Sequence, residues 1–300
     1  MPSTPTVVGR FAPSPSGPLH AGSLLAAIGS ALSVRSQGGR WLLRLEDVDA
    51  GRVRPGAADA ILRQLEALAL DWDGPVLTQA ARKERYQDAL KALQEQGAAY
   101  PCACTRQDIR GFGARYPGTC RQGLAHGRQP RSWRLRVPDT LPPWEDRFHG
   151  RQDTPAPQGD PVLLRADSYF AYILACVVDD GAQGVSEVIR GGDLLSITGV
   201  QRHLQNALNL PHPQYGHLPL LCNAEGRKLS KSADSPAWTG DPSQAWEETL
   251  RALGWTTPAG LRGASAGTWR DWALARMAEG QPLYRVSADA TGPRRRTALS

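Results

Sequence analysis

The stretch Arg10-Phe-Ala-Pro-Ser-Pro-Ser-Gly-Pro-Leu-His20-Ala-Gly-Ser23 most narrows the folds open to this chain. Its prolines and glycines suit a surface loop, yet it is flanked by ordered segments. Apolar Val7-Val8 precedes it, and Leu24, Leu25, Ile28 and Leu32 follow at a spacing that predicts a helix closing at Gly38-Gly39. Strand, stiff turn and helix in this order put His20-Ala-Gly22 at or near a helix N-terminus. Unpaired N–H groups and a partial positive charge there favour an anion. Gly22 lets a flat ligand approach the backbone, and His20 can donate a hydrogen bond to a phosphate. No Gly-x-x-x-x-Gly-Lys-Ser/Thr motif occurs, so the turn is not a Walker loop. By itself the His-x-Gly pair also reads as a helix cap.

The same alternation continues. Trp41-Leu-Leu-Arg-Leu45 predicts a second strand ending in Glu46-Asp-Val-Asp49. Ile61, Leu62, Leu65 and Leu68 mark one helix, and Tyr86, Leu90 and Leu93 another that stops at Gly97. Strands alternating with helices predict an α/β fold built on a parallel sheet. From Tyr100 to about residue 160 the texture changes to cysteine, arginine and proline with little periodicity, which reads as an insertion rather than a continuation of the sheet. Apolar order returns at Val162-Leu-Leu164 and from Tyr169 to Val178. A strand running into a turn is predicted over Val185–Gly192, then a helix through Val200, Leu204 and Leu208. Two amphipathic helices follow, one carrying Ala245, Trp246, Leu250 and Leu253, the other spanning Trp269 to Met277; a frayed end holds Gly292-Pro-Arg-Arg-Arg. The expected division is 1–98 and 166–240 as two halves of a catalytic domain, 99–165 as the insertion, and 241–300 as a short helical region.

Composition narrows the class. A hydrophobic share of 41% with 21% charged residues is ordinary for a soluble globular protein, and the longest apolar run is too short to span a bilayer. The N-terminal residues lack the pattern of a signal peptide, so a cytoplasmic enzyme, acting as a monomer and without membrane contact, is expected. A net charge of +6 suits a polyanionic partner, although an arginine-rich composition alone produces the same surplus. Of five cysteines, Cys102, Cys104 and Cys120 cluster, which in a chain without a secretion signal points to a metal before disulfides. Zinc prefers thiolates and normally takes four ligands. His126 is the chemically common fourth choice. Cys176 and Cys222 lie among apolar residues and read as core thiols.

Lys228-Leu-Ser-Lys-Ser232, preceded by Asn223-Ala-Glu-Gly226-Arg, places two lysines and two hydroxyls on a glycine-flanked loop, a clamp suited to a polyphosphate. With His20-Ala-Gly-Ser near the other end, the pair resembles the two signatures of class I aminoacyl-tRNA synthetases, His-x-Gly-His and Lys-Met-Ser-Lys-Ser. Ser23 replaces the last histidine and Leu229 the methionine. Arg10 to Gly17 with Leu19-His20, Leu43-Arg-Leu-Glu46-Asp-Val-Asp49, Val177-Val-Asp-Asp180 and Val188-Ile-Arg190-Gly-Gly-Asp193 resemble glutamyl-tRNA synthetases from Val7 to about Pro236. Ordinary members carry a large helical anticodon-binding region after the Lys-Ser loop. Here Ala233 to Ser300 has room for a few helices, as in the truncated glutamyl-queuosine tRNA(Asp) synthetases, which this chain resembles over essentially its full length.

The resemblance implies a Rossmann-like class I catalytic domain with a zinc-containing insertion and no anticodon-binding domain. It implies ATP-dependent, tRNA-independent activation of L-glutamate, with Mg²⁺ accompanying ATP, then transfer of glutamate to queuosine in the anticodon stem-loop of tRNA(Asp). Carried over residue by residue, His20 and Lys231 are the expected catalytic groups. ATP is expected at His20, Gly22, Lys228 and Lys231. Glutamate is expected at Arg10, Ser14, Glu46, Tyr172 and Arg190. One structural zinc per chain is expected on Cys102, Cys104 and Cys120, with Tyr116, at the position of the family's tyrosine ligand, favoured over His126 as the fourth. RNA surfaces are expected among Arg110, Arg115, Arg121, Arg128, Arg131, Arg134 and Arg136 and in the tryptophan-rich tail, although solvated arginines and core tryptophans fit as well. A truncated synthetase charging tRNA(Glu) and a non-catalytic tRNA-binding paralogue remain as alternatives.

Overall fold

A computed structural model of the protein describes residues 6–112, 116–153, 159–222, 238, 240–285 and 296–298, with the backbone alone at 222 and 296–298. Lys228, Lys231 and Arg115 lie outside the described residues. The first strand, β1 (Val8–Phe11), leads through the proline turn into α1 (Ala21–Arg35), then β2 (Arg40–Leu45), α2 (Ala57–Ala67), β3 (Leu77–Thr78), α3 (Lys83–Glu95) and β4 (Ala99–Cys102). A short α4 (Arg106–Gly111) precedes β5 (Ser132–Leu135), β6 (Trp144–Asp146), β7 (Gly150–Gln152) and β8 (Val162–Leu164). The chain then forms α5 (Tyr172–Ala182), β9 (Glu187–Gly191), α6 (Leu195–Ala207), β10 (Gln214–Leu218) and β11 (Leu220–Cys222). It closes with α7 (Pro242–Ala252), α8 (Ala266–Ala278) and β12 (Arg296–Ala298).

Among the described residues, seven strands form the main sheet in the order β3-β2-β1-β9-β10-β6-β7, all parallel except for the β6–β7 hairpin. From β1 the chain crosses to β2 on one side and returns much later to β9 on the other. Ligands of open α/β sheets bind beyond the carboxyl ends of strands at such a reversal. α1 packs over the sheet with Leu24, Leu25, Ile28 and Leu32 buried. A Cβ at Gly29 would meet Leu218 Cδ1 at 2.7 Å, so glycine permits this close approach of α1 to β10. The same apolar core takes in Trp246 and Trp269 of α7 and α8, both fully buried. Their indole N–H groups donate to Leu68 O at 3.1 Å and Ser243 Oγ at 2.8 Å. These tail tryptophans are core residues, not an RNA surface.

The region read as an unpatterned insertion is more ordered than expected. β4, β5 and β8 form an antiparallel sheet, whereas β6 and β7 join the main sheet beside β10. Three-residue strands are too short to leave a periodic signal, which is why the sequence hides them. Arg121 is tied to both oxygens of Asp160 at 2.5 Å, Arg134 is buried over the Tyr116 ring, and Arg136 donates to Arg121 O at 2.9 Å. These three arginines therefore hold the small sheet together, while Arg110, Arg128 and Arg131 are exposed. At the other end, backbone pairing of β12 with β11 gives part of the expected frayed end an ordered partner. Among the described residues no helix is long and apolar enough to cross a membrane.

Candidate active site

The proline turn is fastened at several points. Glu46 N–H donates to Pro13 O at 2.9 Å, Arg54 N–H to Pro15 O at 2.9 Å, and Leu19 N–H to Gln64 Oε1 at 2.7 Å. The first of these bonds joins the ends of β1 and β2 and sets Glu46 beside the turn. His20 is the N-cap of α1: Nδ1 accepts from Ser23 N–H at 3.4 Å, and Ser23 Oγ lies 3.2 Å from Nε2. Ser23, standing where the signature has histidine, thus steadies His20 while the imidazole lines the cleft. The capping reading and the placement beside the site hold together.

That cleft, of about 570 Å³, opens at the carboxyl ends of β1, β2, β9 and β10. Its walls bring together Arg10, Ser14, Glu46, Tyr172 and Arg190, which are far apart in sequence, with His20 and Gly22 on the same wall as the turn. Every expected glutamate residue and both described ATP residues therefore face one space.

Beneath the cleft lies a buried charge network. Arg10 donates to Asp180 through Nε at 3.1 Å and Nη2 at 3.4 Å, and Arg44 Nη1 is 2.8 Å from the same carboxylate. Burial opposes ionisation of Asp180, but the two guanidiniums hold its pKa down at about 2. Arg44 also reaches Glu46 Oε1 at 3.5 Å. Burial pushes the Glu46 carboxyl above its usual range, against the pull of Arg44 and Arg10. Glu46 thus lacks a full complement of charge around it, a setting that an incoming ammonium improves. Burial likewise keeps the Tyr172 hydroxyl protonated well above its ordinary range, so it acts as a neutral hydrogen-bonding group.

Arg190 is buried at 4% exposure. Its Nε donates to His217 Nε2 at 3.0 Å, and Nη2 donates to Thr198 Oγ1 at 2.8 Å and Gln201 Oε1 at 2.6 Å. Nη1 is buried and has no partner among the described residues. Buried guanidinium nitrogens are normally paired, so an orphan on a cleft wall marks a place for an acceptor. Of this surrounding set, Arg44 and Asp180 lie within the motif segments yet were not singled out in the sequence. Asp146, Thr198, Gln201 and His217 carry no local signal, because distant elements bring them together.

A second site lies beside the small sheet. The sulfurs of Cys102, Cys104 and Cys120 all lie within 4.8 Å of one another, with Cys104 and Cys120 at 3.7 Å. Thiolates on one tetrahedral zinc stand about 3.8 Å apart, given a zinc–sulfur distance of about 2.3 Å. Tyr116 Oη is 3.5 Å from Cys102 Sγ and accepts the Cys120 N–H at 3.1 Å. His126 is not among the metal-capable group of described residues. The donors fit a thiolate-rich metal centre. Cys176 is buried as expected, whereas the Cys222 side chain lies outside the described residues.

Comparison with known proteins agrees with these features. Residues 6–263 match the catalytic-domain model of class I tRNA synthetases specific for E and Q. A glutamyl-Q tRNA(Asp) synthetase of Thiobacillus denitrificans is 49% identical over 278 residues, covering 89% of this chain and 91% of that protein. One from Dechloromonas aromatica is 50% identical over 277 residues, covering 88% and 92%. Among solved structures, the glutamate-tRNA synthetase of Elizabethkingia anophelis superposes with a TM-score of 0.75 at 24% identity. That superposition covers 88% of this chain but 65% of the longer one, so the chain spans just under two thirds of that structure, and the likeness speaks for the fold. The chain belongs to the glutamyl-Q tRNA(Asp) synthetase family, within the class I synthetases for glutamate and glutamine.

Proposed function

We propose that this chain activates L-glutamate with ATP, without needing tRNA, and transfers the glutamyl group to queuosine in the anticodon of tRNA(Asp). The observation that carries this reading is near-full-length identity of about half to relatives named for that activity. The cleft supports its first step. The α-carboxylate of glutamate attacks the α-phosphorus of ATP, one oxygen–phosphorus bond forms, and the bond to pyrophosphate breaks. A carboxylate is already a nucleophile, so the protein supplies alignment and charge stabilisation rather than a general base.

In this reading Arg190 receives the side-chain carboxylate of glutamate through its unpartnered Nη1. Glu46 accepts the α-ammonium, and Tyr172 and Ser14 complete the hydrogen bonds. Arg10, bound to Asp180, contributes positive potential from the cleft wall. His20 and the N-terminus of α1 face the phosphates, and Gly22 admits the nucleotide. Lys228 and Lys231 serve the polyphosphate, with Lys231 on the leaving pyrophosphate; Mg²⁺ arrives with ATP. Cys102, Cys104 and Cys120, with Tyr116 as the fourth ligand, would hold a structural zinc, which would supply a cross-link stabilising the end of β4.

Glutamate-dependent exchange of pyrophosphate into ATP in the absence of tRNA tests this reading. Exchange without tRNA supports it. A strict requirement for tRNA, or no exchange at all, favours the ordinary synthetase or the binding paralogue.

A further inference from the structure

The protons around Arg190 can be assigned one by one. Thr198 has a single hydroxyl proton and donates it to Leu194 O at 3.0 Å, so Thr198 Oγ1 accepts from Arg190 Nη2. Arg190 Nε always carries a proton, so the facing His217 Nε2, 3.0 Å away, must be bare. The imidazole proton therefore sits on Nδ1 and is donated to Asp146 Oδ2 at 2.6 Å. The other oxygen of Asp146 accepts the N–H groups of Phe148 at 2.9 Å and His149 at 3.0 Å. His217 Nε2 also lies 3.2 Å from Thr198 Oγ1, whose proton is already given to Leu194 O, and the series ends at Arg190 Nη1, which has no partner among the described residues.

We infer that Asp146 and His217 are positioning residues that fix the guanidinium plane of Arg190 and so aim Nη1 at the side-chain carboxylate of glutamate. The inference rests on reading the cleft as the glutamate pocket. His217 is fully buried and Asp146 is 2% exposed, so neither serves as a surface charge. Burial, with Arg190 alongside, pulls the His217 imidazole down to about 4 despite its hydrogen bond to Asp146. The ring is therefore neutral near pH 7 and accepts from the guanidinium without repelling it. Asp146 comes from β6, a short strand between β10 and β7 that the sequence hides, and pairing of Asp146 with Tyr215 in the sheet register sets its place beside β10. The β6 strand thus has a part in the site: it carries the carboxylate that selects the imidazole tautomer.

Asp146→Asn is the sharpest test. Keeping its carbonyl on the Phe148 and His149 N–H groups, the amide would donate to His217 Nδ1 and drive the ring proton to Nε2. Two donors, His217 Nε2–H and Arg190 Nε–H, would then face each other. The expected result is a rise in glutamate KM of about tenfold to a hundredfold, the scale of one hydrogen bond to a charged group. ATP KM stays within about twofold and kcat at saturating glutamate within about threefold on the same reasoning. His217→Gln, which can keep a carbonyl acceptor for Arg190, recovers most of the glutamate affinity lost in His217→Leu. Equal loss of glutamate and ATP saturation, or an unchanged glutamate KM in Asp146→Asn, overturns the inference. Nitrogen-15 NMR of the histidines in the unsubstituted protein gives a reading independent of turnover. A neutral His217 protonated on Nδ1 supports the assignment, and a proton on Nε2 overturns it. Failure of the unsubstituted protein to use glutamate would instead contradict the reading of the pocket.

Discussion

Arg10, on the wall of the cleft, holds Asp180 in a fork, Nε to Oδ1 at 3.1 Å and Nη2 to Oδ2 at 3.4 Å. A side chain expected to meet substrate carboxylate is thus already joined to a carboxylate of α5. Arg44 is bound to the same group, so α5, β1 and β2 are locked together at the point where the site forms. Removing one member of such a buried set leaves charge uncompensated, which costs about 3–5 kcal/mol. Asp180→Asn should destabilise the protein on that scale in denaturant unfolding, where an effect below about 1 kcal/mol would show the network to be dispensable.

The same carboxylate predicts a pH response. Its folded pKa, about 2, lies below the value of about 3.9 for an unfolded aspartate. The contribution to stability is complete above about pH 4 and is lost as pH falls through about 2, by roughly 2–3 kcal/mol. Thermal unfolding of the native protein should weaken across this acid window, and Asp180→Asn should flatten that part of the profile. Identical profiles would contradict the assignment.

Arg190→Gln removes the charge aimed into the cleft but leaves the phosphate side untouched. Glutamate KM should rise by about a hundredfold while ATP KM changes little, and the native protein should prefer glutamate strongly over glutamine. Equal activation of glutamine would contradict the pocket assigned here.

Metal analysis of protein purified without a histidine tag should find about one zinc per chain. Cys120→Ser should lose most of it. Tyr116→Phe keeps three thiolates and should retain metal with weakened affinity, whereas loss of metal in His126→Ala would transfer the fourth position to histidine.

Lys231→Ala should lower pyrophosphate exchange by about a hundredfold or more, the scale of losing one transition-state donor. An unchanged exchange rate would remove Lys231 from the phosphate role.

Much of this was legible in the chain. The turn, α1, β2 and β9 announce themselves because long apolar periods and punctuating glycines are local signals. Glu46 and Arg190 stand out by motif and Tyr172 by the family resemblance rather than by periodicity, since their positions within the chain say nothing of their proximity in space. What stayed hidden is non-local: β6 and β7 are too short to show a period, and Asp146 meets His217 through sheet pairing alone. The arginines misled for a related reason. Charge in a sequence does not reveal that Arg121 turns inward to Asp160 while Arg110 faces solvent.

Labelled glutamate identifies the acceptor. Transfer is measured to tRNA(Asp) carrying queuosine, to the same tRNA lacking it, and to tRNA(Glu). Stable labelling of the queuosine-containing tRNA(Asp) alone is expected. Transfer to tRNA(Glu), or equal transfer to both forms of tRNA(Asp), would contradict it.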